Sequence, residues 1–253
     1  MRTILAITRK EFEQYFASPV AYIVVALFML LCGVFFYIFL NIYMQTVSQA
    51  GAMGQEAGEL SQSIVRPFLT NISFFFLMFF PILTMRLLAE EKKMGTYELL
   101  MTSPISIPKL VIGKYLGVLS LMVVILLLVA LYPVVLIIFG HPDMGPIWTG
   151  FLGLFLLGAA FLAVGLFSSS LTDSQIVSAV ISFVFFLLFW IINFLSRSDQ
   201  WYGRLCQYIS IYQRFDDFTK GVLNLNDAFY YISFAFFGLF ATGIVLQSQR
   251  WKS

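Results

Sequence analysis

Charge is scarce in this chain. Only 11% of its 253 residues are Asp, Glu, Lys or Arg, against about 25% in soluble domains. That shortage, beside 60% apolar residues and 29 Phe, excludes an ordinary soluble domain and equally a disordered one. What charge there is nearly balances, 15 basic against 13 acidic residues for a net +2, which lacks the basic excess of a nucleic-acid binder. The two cysteines, Cys32 and Cys206, provide neither a disulfide framework nor a four-ligand zinc site. The lone histidine, His141, lies in the short polar run Gly140-His141-Pro142-Asp143 and reads as a surface loop residue. An integral membrane protein remains, long enough for one domain over 1–253 with no soluble module inside it.

The apolar residues are gathered into runs. Six stretches, 20–43, 68–85, 115–139, 147–167, 175–195 and 228–246, contain no Asp, Glu, Lys, Arg or His and approach or exceed the roughly 20 residues a spanning helix needs. They are continuous, not alternating, so barrel strands are excluded. The fold class is all-α integral membrane with six transmembrane helices. With the N-terminus inside, the inner segments hold ten cations (Arg2, Arg9, Lys10, Arg86, Lys92, Lys93, Lys109, Lys114, Arg250 and Lys252) and the outer ones five (Arg66, Arg197, Arg204, Arg214 and Lys220). The positive-inside rule then predicts both termini on the cytoplasmic side. The first run, about 24 residues, is longer than a signal core of roughly 7–15 and no A-x-A site follows, so cleavage is not expected.

The spans lack more than charge. Carboxylates near the bilayer midplane, usual in ion-coupled carriers, are missing. So are the polar or charged rings of a channel and the constellation of an intramembrane enzyme. Asn41, Asn71 and Asn193, with several Ser and Thr, are the polar residues there and read as bridges between helices. Nor is there a nucleotide site: Gly113-Lys114 is followed by Tyr115, and no glycine stands five residues before Gly113, so the phosphate-binding loop pattern fails. Energy for any transport must come from a partner; the alternative is a passive scaffold or channel.

The polar segments carry the remaining pattern. In 2–17, Ile4, Leu5, Ile7, Phe12, Tyr15 and Phe16 alternate at helical spacing with Arg9, Lys10, Glu11, Glu13 and Gln14, which predicts an amphipathic helix on the inner membrane surface. Ser18-Pro19 then reads as an N-cap and first-turn proline for the first span. Segment 86–114 is the most charged. The second span is predicted to run on to about Lys93, with Gly95 as its C-cap. Thr96 caps a short helix, apolar on one side through Leu99, Leu100 and Met101, that Ser103-Pro104 stops. Such an element suits docking; a solvated connector is the alternative. Thr172-Asp173-Ser174-Gln175 has capping-box spacing. Across 197–227, Trp201, Leu205, Tyr208, Ile209 and Tyr212, and then Phe215, Phe218 and Val222, predict two short amphipathic helices at the outer interface, with Gly221 or Asn224 ending the second. The first outer segment, 44–67, shows no chemistry; it is a flexible loop or a helix that orders against a partner.

The pattern Arg86…Glu90-Glu91-Lys92-x-x-Gly95-Thr96-x-Glu98-x-Leu100-x-x-x-Pro104 resembles the signature of type-2 ABC exporter permeases. So do Arg9-Lys10-Glu11-Phe12…Ser18-Pro19 and Ser210…Phe215…Phe218-x-x-Gly221-Val222…Asp227. The opening, through Ala21-Tyr22-Ile23, is most similar to gliding-motility-type bacterial permeases. The resemblance implies a bacterial inner-membrane subunit with an elbow helix over 1–18, a coupling helix within 86–114 that sits in a cleft of the ATPase, and an outer helical pair over 197–227. It assigns ATPase coupling to Glu90, Glu91, Gly95, Thr96, Glu98, Leu99, Leu100 and Pro104. Arg9, Lys10, Glu11, Phe12 and Pro19 belong to the elbow, and Phe215, Phe218, Gly221 and Asp227 to the outer loop. It implies two ABC ATPase subunits, which hold the ATP and Mg, and a second permease copy or relative pairing through spans such as the first and fifth. It also implies that this chain carries no cofactor, no metal and no catalytic residue of its own. Span five, 183–194, could equally face lipid.

Overall fold

The computed structural model describes residues 2–53, 59–97, 105–140, 142–196, 207 and 210–250. All regular structure among them is helical. The order is α1 (Arg2–Ala17), α2 (Pro19–Met53), a π-helical turn (Ser61–Val65) leading into α3 (Arg66–Thr84), α4 (Ala89–Lys93), α5 (Ile107–Val129), α6 (Leu131–Gly140), α7 (Met144–Leu171), α8 (Gln175–Leu195), α9 (Ile211–Thr219) and α10 (Leu225–Arg250). Six helical stretches are long and apolar enough to cross a membrane, with α5 and α6 counted as one and the π-helical turn, α3 and α4 likewise taken together over Ser61–Lys93.

The burial pattern gives the layout. α3 and α7 are largely buried, whereas α2, α8 and α10 keep most of their apolar residues on the outside. In a bilayer that outer surface meets acyl chains, which are as apolar as Leu. The helices are therefore held by close packing rather than by hydrophobic burial. Aromatic rings fill the α2–α3 seam, where Phe28 lies 5.3 Å from Phe79 edge-on and Phe76 stacks on Phe80 at 4.2 Å. Small residues do the rest. A Cβ at Gly153 of α7 would come within 2.7 Å of Phe218 of α9.

The folded spans differ from the apolar runs in instructive ways. Span five has the expected bounds, 175–195. The first span continues ten residues past Tyr43, because the polar residues Gln45, Thr46, Ser48 and Gln49 are all compatible with a helix once it leaves the apolar layer. The third begins at Ile107, not Tyr115, so Lys109 and Lys114 lie inside a helix and not in a loop. It is interrupted at Ala130, where Pro133 lacks the N–H that would reach back to Val129. The expected continuation of the second span to Lys93 is broken: α3 stops at Thr84, residues 85–88 form turns, and α4 restarts at Ala89. The capping box at 172–175 is not formed. Ser174 is the N-cap of α8 without a side-chain bond, and the Thr172 hydroxyl accepts from the Ser174 N–H at 3.2 Å. Asn41 and Asn71 do not bridge helices; each donates to the carbonyl four residues back in its own helix. Asn193 does bridge, accepting from Ser210 at the start of α9.

Candidate functional site

A dense polar cluster lies at the end of the bundle that carries α1, α4 and the last turn of α10. It is built on a close approach. α1 lies across α5 at Gly113 and Gly117, one helical turn apart, where a Cβ would fall 2.8 Å from Ile7 and 2.5 Å from Glu11. The Thr8 hydroxyl donates to the Gly113 carbonyl at 3.2 Å. Between the two glycines stands Lys114, whose side chain is 2% exposed. Its ammonium reaches Glu11 Oε1 of α1 at 2.7 Å and Glu91 Oε1 of α4 at 2.8 Å. A buried ammonium without partners would be several kcal/mol unfavourable. Two carboxylates from two other helices satisfy this one, and three elements are thereby joined at one nitrogen. Glu91 Oε2 is buried beside it with no hydrogen bond.

The break at 85–88 is equally well satisfied. The Ser169 hydroxyl of α7 accepts from the N–H groups of Leu88 and Ala89 at 3.0 and 3.1 Å and donates to the Met85 carbonyl at 3.1 Å. One side chain thus replaces the ladder bonds that a continuous helix would have made. Arg86 lies 4.6 Å over the Tyr15 ring and donates to Ser18 at 3.1 Å, while Tyr15 donates to the Leu83 carbonyl at 2.7 Å. Burial, helped by Glu11 and opposed by Arg86, pushes the Tyr15 hydroxyl well above its ordinary range, so it stays a donor. Beyond the break, Lys92 donates to the Ser170 carbonyl at 2.7 Å and lies 3.6 Å from Asp173. Gly95, at φ +71°, ends the turn as expected. The Thr96 hydroxyl donates to the Glu91 carbonyl and Tyr97 to Gln249 of α10. A cleft of about 620 Å³ opens between α1 and α4, lined by Lys10, Glu11, Arg86, Glu90, Glu91 and Lys114 among others.

The residues singled out from sequence divide accordingly. Glu90, Glu91, Gly95 and Thr96 are brought together here; Glu98, Leu99, Leu100 and Pro104 lie outside the described residues, as does His141. Glu91 faces inward to Lys114. In α1, Arg9 and Lys10 are exposed and Phe12 half-buried, its ring 4.8 Å from Phe16. Glu11, placed by the helical pattern on the polar face, is buried, so this helix turns a charged residue toward the protein. Pro19 opens α2. Sequence reasoning passed over Lys114 as a loop cation and Ser169 altogether. The Gly113-x-x-x-Gly117 spacing was the signal for the former, since it marks a face built for close contact.

At the opposite end, Phe215 and Phe218 of α9 are buried and Gly221 adopts φ +89° against Pro146. Asp227 pairs with Arg214 at 2.7 Å, largely buried, and the guanidinium lies 4.2 Å over Tyr230. Asp216 accepts from Arg66 at 2.8 Å and pairs with Lys220 at 2.6 Å. Burial alone would raise the Asp216 carboxyl, but hydrogen bonds from Lys220 and Arg66 outweigh it and hold it below the usual aspartate range. The hydrogen bond to Asp216 raises Lys220 in turn, against desolvation, with Asp217 adding to the rise. The upstream helix expected around Trp201–Ile209 falls outside the described residues, apart from Gln207.

Among the described residues no cluster of His, Cys, Asp and Glu could hold a metal ion. Six long apolar helices, with polar joints at both ends, define a multi-pass membrane protein. The family model for ABC-2 family transporter proteins matches residues 5–198, and the chain belongs to that family. It is accordingly a permease subunit of an ABC transporter, a class that associates with ABC ATPase subunits. A search of curated proteins gave no match.

Proposed function

We propose that this chain is one permease half of an ATP-driven exporter, acting with two ATPase subunits and a second permease copy or relative. The end bearing α1, α4 and the tip of α10 is the cytoplasmic face of a bacterial inner membrane, so that both termini are inside and α9 lies at the outer surface. Support for this orientation comes from the cation excess on that side. One domain spans 1–253. Within it, 1–18 serves as the elbow, 86–114 as the coupling segment and 197–227 as the outer helical loop. ATP and Mg reside in the partner, and no catalytic residue is required here. The observation that carries the reading is the family match across 5–198, which includes the whole coupling segment.

In this reading Leu99 and Leu100 form the knob that enters the ATPase, with Glu90 and Glu98 facing cations on it. Closure of the ATPase dimer displaces the segment through Gly95, Thr96 and Pro104. The charge-free apolar runs favour an apolar or lipid-linked cargo, or mechanical work on a membrane-anchored partner. The test is a mild-detergent pull-down of the tagged protein, with co-purifying subunits identified by mass spectrometry, repeated with Leu99→Ala/Leu100→Ala. A stoichiometric ABC ATPase, lost or uncoupled in the double variant, is expected. Well-folded protein that reproducibly brings down no ATPase would return the segment to a connector and favour a passive scaffold or channel.

A further inference from the structure

We propose that α4 is a lever that pivots on Ser169 of α7, and that Lys114 is the positioning residue through which it moves α5 and α1 as one body. The proposal rests on the permease reading above but departs from the simplest route within it, a push straight up the second span. That route needs a rigid rod from α4 into α3, and the chain is not one: the helix is interrupted at 85–88. At the interruption, Leu88 and Ala89 donate to Ser169 Oγ, which itself donates to Met85. Both sides of the break are thus held to a single hydroxyl on the buried central helix α7. This is the geometry of a pivot, fixed in place while leaving α4 free to change its angle to α3.

The far side of α4 carries the load. Glu91 is one turn or less from the pivot and grips Lys114 at 2.8 Å. Lys114 simultaneously grips Glu11 at 2.7 Å. Its side chain is 2% exposed, so the loss of either carboxylate leaves a largely desolvated ammonium with a single ionic partner. α1 cannot slip on α5 either, because the Gly113 and Gly117 contacts bring the two backbones together without side-chain cushioning. A tilt of α4 therefore drags α5 and α1 together relative to α3. The other polar contacts of α4 lie beside the pivot or are softer. Lys92 donates to the carbonyl of Ser170, the residue after Ser169, at 2.7 Å, whereas its pair with Asp173 spans 3.6 Å and Asp173 is 78% exposed, so water can replace it.

The experiment uses the full permease–ATPase complex in nanodiscs with Cys32→Ala and Cys206→Ala. Spin-label pairs go on exposed positions Leu5 of α1, Ile112 of α5 and Ile82 of α3. Distances are measured by pulsed electron resonance without nucleotide and after trapping with ATP and vanadate. The Leu5–Ile112 distance should stay fixed and the Ile112–Ile82 distance should shift. Lys114→Met should abolish that shift while the ATPase stays bound and hydrolyses ATP. Lys114→Glu/Glu91→Lys, which keeps one cation against two carboxylates, should restore it. A purely structural lysine would instead leave the shift intact wherever the folded Lys114→Met protein still binds the ATPase. A full shift in Lys114→Met overturns the proposal. So does a wild type in which Leu5–Ile112 changes, or in which no pair changes although the ATPase is bound. If Lys114→Met fails to fold, Lys114→Arg and the exchanged pair decide: both must keep the shift. A preparation without bound ATPase would instead refute the permease reading itself.

Discussion

Replacing Gly117 by alanine should loosen α1 from α5, and the size of the effect follows from one distance. The new methyl would stand 2.5 Å from Glu11 Cβ, where ordinary contact begins near 3.4 Å. The obstructing atom is bonded directly to the α1 backbone, so no rotamer change relieves it; the whole helix must retreat by about 1 Å, an overpacking cost of about 1–3 kcal/mol. Alanine also gains about 1 kcal/mol over glycine as a helix former, which masks part of the cost. Gly243→Ala in α10 isolates that gain, since nothing lies within 4 Å of its added methyl. The informative quantity is therefore the difference between the two variants, read from unfolding in mixed micelles. Gly117→Ala should fall about 1–3 kcal/mol below Gly243→Ala. Retreat of α1 also stretches the 2.7 Å Lys114–Glu11 bond, so a cysteine introduced at Lys10 should not change its labelling rate while one at Glu11 becomes accessible. Equal stability of the two alanine variants would refute the claim that this crossing is closed by glycine contact.

Two further outcomes concern the opposite end. Asp216 has a depressed pKa in the folded chain, so its contribution is present above the ordinary aspartate value of about 3.9 and is lost as pH falls below it toward the folded value. Lys220 is raised, so its share is complete below about 10.4 and lost as pH climbs through its higher folded value. The thermal-midpoint gap between wild type and Asp216→Asn should accordingly hold from pH 5 to 9 and close under strong acid; a gap that widens in acid would contradict the assignment. Asp227→Ala should be costlier, about 3–5 kcal/mol at most, because it takes the carboxylate from a largely buried Arg214 that keeps its stacking on Tyr230. Arg214→Met/Asp227→Leu should recover much of that loss in the same unfolding assay.

Most of the fold was legible because a bilayer imposes length and apolarity on each span. The fifth run even matched to the residue. What was not legible is where helices continue through polar sequence or stop within apolar sequence. α2 extends over Gln45 and Gln49 because nothing in them opposes a helix. The second span breaks at 85–88 because Ser169, about 80 residues away in the chain, supplies the missing acceptor. The candidate site shows the same division. Gly95 was readable from its own chemistry, and its positive φ follows. The pairing of Lys114 with Glu11 was not, since their separation of 103 residues leaves no local trace. Periodicity misled at Glu11, which sits among exposed charged neighbours yet points inward because α5 offers it a cation.

The charges at this joint also explain why it takes the form it does. Buried ion pairs are seldom more stable than apolar side chains of equal volume, and α1 could have been fixed to α5 by the glycine contacts alone. An apolar joint, however, tolerates the loss of one partner by closing around the others. Lys114 does not. With Glu11 alone, or with Glu91 alone, the buried ammonium keeps only one carboxylate, and Glu91 Oε2 is already without a hydrogen bond. The arrangement is satisfied when all three helices are in place and poorly satisfied in every partial state. Such a joint makes α1, α4 and α5 respond together, a property that stability alone does not require and that the proposed ATPase-driven tilt of α4 does.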